Sequence, residues 1–171
     1  MNRKLKLYLV LAFINLGYQA NAQQLPEPKK LTDFSFMTGQ WEGTGTSYTR
    51  EGSVEFKVVE TIVYAADSTT LLIKGLGFDE QGINHHDAVG ILYHEDGAYH
   101  LHAFTKQGQN VIAYVTKTGD QSFDWGFDLP NGARIKYSAS FTEDSWEESG
   151  TYTTPDGAQS FPTVQMKLSR K

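Results

Sequence analysis

The sequence predicts an all-β protein: an antiparallel meander of about ten strands that closes into a barrel, with a short helical turn ahead of the first strand. Three observations carry this. From Gly39 onward every short segment is bounded by a glycine or an Asp/Asn turn, and no long window sustains a helical period. Aromatic residues make up 13% of the chain, and Thr, Tyr and Val recur throughout, which favours half-buried pleated surfaces. The connections between segments are short, so sequential strands pair as hairpins.

The elements follow in chain order. Met1 to Ala22 holds Arg3, Lys4 and Lys6, then an apolar run from Leu7 to Leu16, then Ala20-Asn21-Ala22. That is the layout of a secretory signal peptide with cleavage near Ala22. The apolar run is about half of the roughly 20 residues a membrane-spanning helix needs, which argues against a retained anchor. Gln23 to Lys30, with Pro26 and Pro28, reads as an extended leader, and 31–171 as a single barrel domain. Leu31, Phe34 and Met37 stand at helical spacing and predict one or two turns that plug a barrel end.

The strands are expected at Gly39–Tyr48, Ser53–Ala65, Thr70–Phe78, Asp87–His94, Tyr99–Thr105, Asn110–Lys117, Ser122–Asp128, Arg134–Thr142, Ser145–Thr153 and Phe161–Ser169. Turn pairs such as Glu51-Gly52, Asp96-Gly97, Gln107-Gly108, Gly119-Asp120, Asn131-Gly132 and Asp156-Gly157 connect them. Closure removes the unpaired edges that a ten-stranded open sheet would expose. One hairpin conflicts with its own pattern. A two-residue turn at Asn131-Gly132 would set Trp125 opposite Ser138, whereas the hydrophobic pattern wants it on the face of Tyr137; a longer loop or bulge near Leu129-Pro130 resolves this.

Composition narrows the function. The chain has no cysteine, which excludes disulfides, thiolate metal sites, a cysteine nucleophile and a lipid-modified cysteine. A periplasmic or secreted bacterial protein fits best. Three of the 15 basic residues and none of the 20 acidic ones precede Gln23, leaving a mature chain with a net charge of −8. Nucleic acid is therefore not an expected partner, and no segment of the mature chain is apolar enough to span a membrane. There is no Gly-x-Ser-x-Gly elbow, no His-Glu-x-x-His and no phosphate-cradling loop.

Gly39-Gln40-Trp41 opens the first strand directly after the helical turn, and it resembles the Gly-x-Trp opening of lipocalins and related calycin barrels. Together with Phe123-Asp-Trp-Gly-Phe127, Ile135-Lys-Tyr137, Trp146-Glu-Glu-Ser-Gly150 and the closing Met166-Lys-Leu168-x-Arg170, it makes the chain similar to a family of exported bacterial lipocalin-like proteins of unknown function. The resemblance implies a fold, not a reaction. Calycin barrels include carriers of small apolar molecules, haem-binding nitrobindin-like proteins and a few enzymes.

Two groups of residues are candidates for a site. All five histidines, His85, His86, His94, His100 and His102, lie in one stretch. Spacing of two puts His100 and His102 on one strand face, about 7 Å apart at the backbone, as a pair sharing a divalent metal or facing a haem would be. Two-residue turns at Asp96-Gly97 and Gln107-Gly108 would set that pair among Ile91, Tyr93, Ala113 and Val115, an apolar and inward face. His94 then points the other way, and His85 and His86 fall in a loop. The aromatic group is Trp41, Trp125, Phe127, Tyr137 and Trp146, expected to line an internal ligand cavity or fill the core. Glu60 and Glu148 share pleat faces with apolar residues; if inward, each needs a partner such as Lys74 or Arg134, or it stays protonated, and a paired structural carboxylate is expected ahead of a general acid or base.

The expected function is non-catalytic binding of a small, partly apolar ligand inside the barrel. The alternatives are haem or metal binding through His100 and His102, an enzyme acting on a lipophilic substrate, and a filled-core structural module.

Overall fold

The structure, a computed structural model, describes residues 28–171. The expected signal peptide and the leader up to residue 27 lie outside the described residues. A 3₁₀ helix at Thr32–Met37 precedes ten strands. They are β1 (Gly39–Thr49), β2 (Gly52–Ala65), β3 (Thr70–Phe78), β4 (Asn84–Glu95), β5 (Ala98–Thr105), β6 (Asn110–Gly119), β7 (Ser122–Asp128), β8 (Arg134–Phe141), β9 (Ser145–Thr153) and β10 (Ser160–Arg170). Each pairs antiparallel with its sequence neighbours, and β1 pairs with β10, so the sheet is a closed barrel. The largest boundary change is at β4, which begins at Asn84 rather than Asp87 and takes His85 and His86 out of the expected loop.

The turns decide which residues face inward. Asp96 (φ 50°) and Gly97 (φ 82°) form the two-residue turn expected between β4 and β5, pairing Tyr93 with His100 and Ile91 with His102. The β7–β8 hairpin has a three-residue loop, closed by the Leu129 N–H donating to the Ala133 carbonyl. This sets Trp125 opposite Tyr137, the register the hydrophobic pattern demanded.

The same loop type joins β5 to β6. Thr105 N–H donates to the Gln109 carbonyl, and Gly108 occupies the left-handed region at φ 79°, a conformation that costs glycine nothing. The extra residue pairs His100 with Tyr114 and His102 with Ile112, not with Val115 and Ala113. A one-residue slip exchanges the faces of a strand. Leu101, Ala113 and Val115 are therefore buried within the barrel, while Ile112 and Tyr114 are exposed outside it.

One end of the barrel is plugged. Leu31, Phe34 and Met37 are all buried, at the spacing that suggested a helical turn; the turn is 3₁₀ rather than α. Trp41 is fully buried beneath it and donates from Nε1 to the Met37 carbonyl at 2.8 Å. Arg170, on the last strand, stacks its guanidinium over the Trp41 ring at 4.1 Å. The same guanidinium donates to the Thr38, Phe36 and Glu143 carbonyls. The first and last strands are thus locked to the plug through one cation and one indole. Phe141 and Trp146 stack with their centroids 4.8 Å apart, and Trp41 meets both rings edge-on.

Candidate functional site

Away from the plug the barrel is hollow. A cavity of about 540 Å³ opens toward the end that carries the β1–β2, β3–β4 and β5–β6 hairpins. Its space comes from small residues on inward positions: Gly75 and Gly77 of β3, Ala88 and Gly90 of β4, and Ala103 of β5. Val58, Ile73, Leu92, Leu101 and Val115 supply apolar wall. The opposite wall is aromatic, with Trp125 and Tyr137 stacked 3.9 Å apart at 9° and Trp146 beside them.

Two carboxyls sit in this apolar chamber. Glu60 is 9% exposed and Glu148 is 8% exposed, and they are the buried charged side chains among the described residues. Among the described residues neither has a cationic partner: Lys74 lies on the outward alternation of β3, and Arg134 is held by Asp128 at 2.7 Å. Burial therefore pushes the Glu60 pKa up to about 8, and the nearby Glu148 adds to the rise. Burial likewise raises Glu148 to about 7, while the hydrogen bond from the Trp125 indole pulls it partly back. Tyr137, beside Glu148, is pushed up to about 12 by burial and by that carboxyl.

Hydrogen bonding in the chamber is incomplete. Trp125 Nε1 donates to Glu148 Oε2 over a long 3.4 Å. Trp146 Nε1 and Glu60 Oε2 are buried without a hydrogen-bond partner among the described residues. Such atoms cost about 1–3 kcal/mol each when nothing satisfies them. Gly75, directly across from Glu60 in the ladder, leaves room for the carboxyl: a Cβ there would lie 2.5 Å from Glu60 Oε1.

The histidines are distributed differently from the expectation. His100 and His102 are on the outer face. His100 stacks on Tyr93, and His102 bonds Asn110 Oδ1 at 2.6 Å and packs on Phe104. The expectation that they face the interior is corrected by the three-residue loop at Lys106–Gly108. Among the described residues no group of three or more His, Asp or Glu is placed to hold a metal ion.

His85 and His86 instead reach the cavity mouth. Gly77 pairs with His86 and Phe78 with Asn84, so His85 is the extra residue of a β-bulge, the device that re-aims side chains at barrel rims. His85 Nε2 lies 2.6 Å from Asp79 Oδ2, and burial draws the His86 imidazole pKa down. Of the aromatic candidates, Trp125, Tyr137 and Trp146 line the cavity. Trp41 belongs to the plug and Phe127 packs against the core, both outside the cavity lining.

Glu60, Glu148 and the small residues of β3 to β5 were not chosen from sequence as the ligand site. A signal was present in the run Gly75-x-Gly77, Ala88-x-Gly90 and Ala103, where inward alternation meets missing side chains.

No helix among the described residues is long and apolar enough to cross a membrane. No family model matches the chain, and no match to a curated protein reaches significance. Among solved structures, the fold is similar to that of Rv2717c from M. tuberculosis, with a TM-score of 0.64 and 15% sequence identity over 80% of this chain and 94% of that one. At that identity the likeness is one of fold, and it makes this chain a relative in architecture of a mycobacterial barrel protein.

Proposed function

We propose that the protein binds a small, partly apolar molecule in the interior of a lipocalin-like barrel, outside the cytoplasm and without changing it chemically. The carrying observation is the cavity of about 540 Å³, apolar over most of its wall, open at one end and closed by the plug at the other. Its size falls within the range of pockets that enclose small ligands, about 300–1,000 Å³. The Gly39-x-Trp41 opening under a helical plug supports the lipocalin-like assignment, and the basic, apolar, small-residue order of Met1–Ala22 supports export.

The test is uptake of a neutral fluorescent probe, N-phenyl-1-naphthylamine, by the purified mature protein, compared with an Ala103→Trp variant that fills the chamber. Uptake by the native barrel and its loss in the filled variant, with the β-sheet circular dichroism signal retained, is the expected result. No uptake, or equal uptake by both, sinks the reading. Recovery of a bound molecule unaltered after incubation separates binding from turnover. The exported form is expected to begin at Gln23, and an intact mass that still includes residues 1–22 would refute export with cleavage.

A further inference from the structure

We infer that the interior selects ligands carrying a protonated amine on an apolar body, the ammonium lying between Glu60 and Glu148 and the body filling the chamber lined by β3 to β5. This rests on the binding reading above and names the ligand class for it. The titratable side chains lining the cavity among the described residues are Glu60, Glu148, His85, His86 and Tyr137. The two histidines are at the mouth, and among the described residues no lysine or arginine lines the chamber. A fatty acid or other anion would meet two carboxyls and no counter-charge.

An ammonium meets what the chamber lacks. Among the described residues Glu60 has no hydrogen-bond partner, and its Oε2 is buried, so it presents acceptors that need a donor. Glu148 has one long bond from Trp125. A primary ammonium offers three donors and compensates the charge of a carboxylate in a site where charge-assisted bonds are strong. Trp125, Tyr137 and Trp146 line the same space, and an aromatic ring attracts a cation seated over its free face. Gly75 leaves the space that the Glu60 carboxyl occupies in the chamber.

At neutral pH Glu60 is mostly protonated and Glu148 about half, and an ammonium between them favours their ionised forms, so protons leave the protein as the amine enters. An alcohol with the same chain requires no such change. This gives the proposal a readout independent of affinity: net proton release for the amine and none for the alcohol, measured by calorimetry in buffers of different ionisation enthalpy.

The experiment compares octylamine, 1-octanol and octanoate at neutral pH by displacement of N-phenyl-1-naphthylamine. Octylamine is expected to bind roughly tenfold or more tighter than 1-octanol, with octanoate weakest. In the Glu60→Gln, Glu148→Gln double variant the advantage of the amine over the alcohol should fall to within about twofold, and the proton release should vanish. The native protein alone supplies the affinity order and the proton count, so the proposal stays testable if that variant does not fold. Octanoate binding as tightly as octylamine, or equal binding of all three, overturns the amine assignment and leaves the binding reading standing. Failure of the barrel to take up the reporter at all overturns both.

Discussion

The two ends of the barrel interior are filled by opposite means. At the plugged end Phe34, Trp41, Phe123, Phe141 and Trp146 interlock with Leu31 and Met37, and Arg170 caps the stack with hydrogen bonds to the turn. Toward the open end the inward positions of β3 to β5 carry Gly75, Gly77, Ala88, Gly90 and Ala103, and the side chains that would fill the centre are missing. Ten strands give a perimeter wider than side chains of ordinary size fill, so a chain of this length must choose where to spend its aromatics. Here stability is concentrated at one end and space at the other, and the two carboxyls lie in the space.

The largest effect that would break this contrast is expected at the packed end. Trp41→Ala removes a fully buried ring, its bond to the Met37 carbonyl and the surface on which Arg170 rests. Chemical denaturation should show a loss of about 3–5 kcal/mol. It should exceed the loss from Trp125→Ala, whose ring borders the cavity and is only partly buried. A cost below about 1 kcal/mol for Trp41→Ala would mean that the plug is not a structural anchor.

The hollow end has a pH signature. Glu60 and Glu148 have folded pKa values of about 8 and about 7 against an ordinary 4.5. A raised folded pKa means that the unfolded chain releases its proton first. The stability these groups confer as neutral acids is therefore fully present below about pH 4.5 and is lost as pH rises through 7 and 8. The slope approaches about 1.4 kcal/mol per pH unit for each carboxyl within its window. Glu60→Gln should flatten the fall above pH 5 and leave the barrel more stable than the native protein at pH 8, as read by urea midpoints across a pH series. A native stability that is flat or rising between pH 5 and pH 8 would show that the carboxyls are solvated or paired.

Much of this was legible in the residues, and the exceptions have a common cause. All ten strands, the plug spacing of Leu31, Phe34 and Met37, and the Trp125–Tyr137 register follow from alternation and turn chemistry. The β7–β8 loop was readable because two-residue closure set aromatics against Lys136 and Ser138, an evident conflict of faces. The β5–β6 loop has the same three-residue geometry, but its competing register set histidines against Val115 and Ala113 and looked like an apolar site. The correct register pairs Leu101 with Ala113, which is the better hydrophobic match. The cavity leaves a weak mark in the sequence because it is made by absent side chains, whereas aromatic residues serve packing and lining alike, and Trp41 and Phe127 are packing residues.

The smallest expected effect sharpens the boundary between inside and outside. His100 and His102 belong to an outer-face band in which Val63, Leu72, Ile91, His102 and Ile112 follow one another across five strands. Their rings stack on Tyr93 and Phe104, and the His102 bond to Asn110 is at the surface. Replacing both with Gln should change stability by only about 1 kcal/mol, the loss of half-buried outer-face contacts, and leave reporter uptake unaltered. His86→Trp puts a large ring at the cavity mouth, beside Gly77, and should slow reporter entry and exit with a smaller change in affinity. Because the two substitutions lie on opposite sides of one sheet, stopped-flow uptake distinguishes them directly. Slowed uptake in the His100 and His102 variant, with the His86 variant behaving as native, would mean that β5 presents its other face to the interior. Val115 and Ala113 would then have to lie outside the barrel, against their burial.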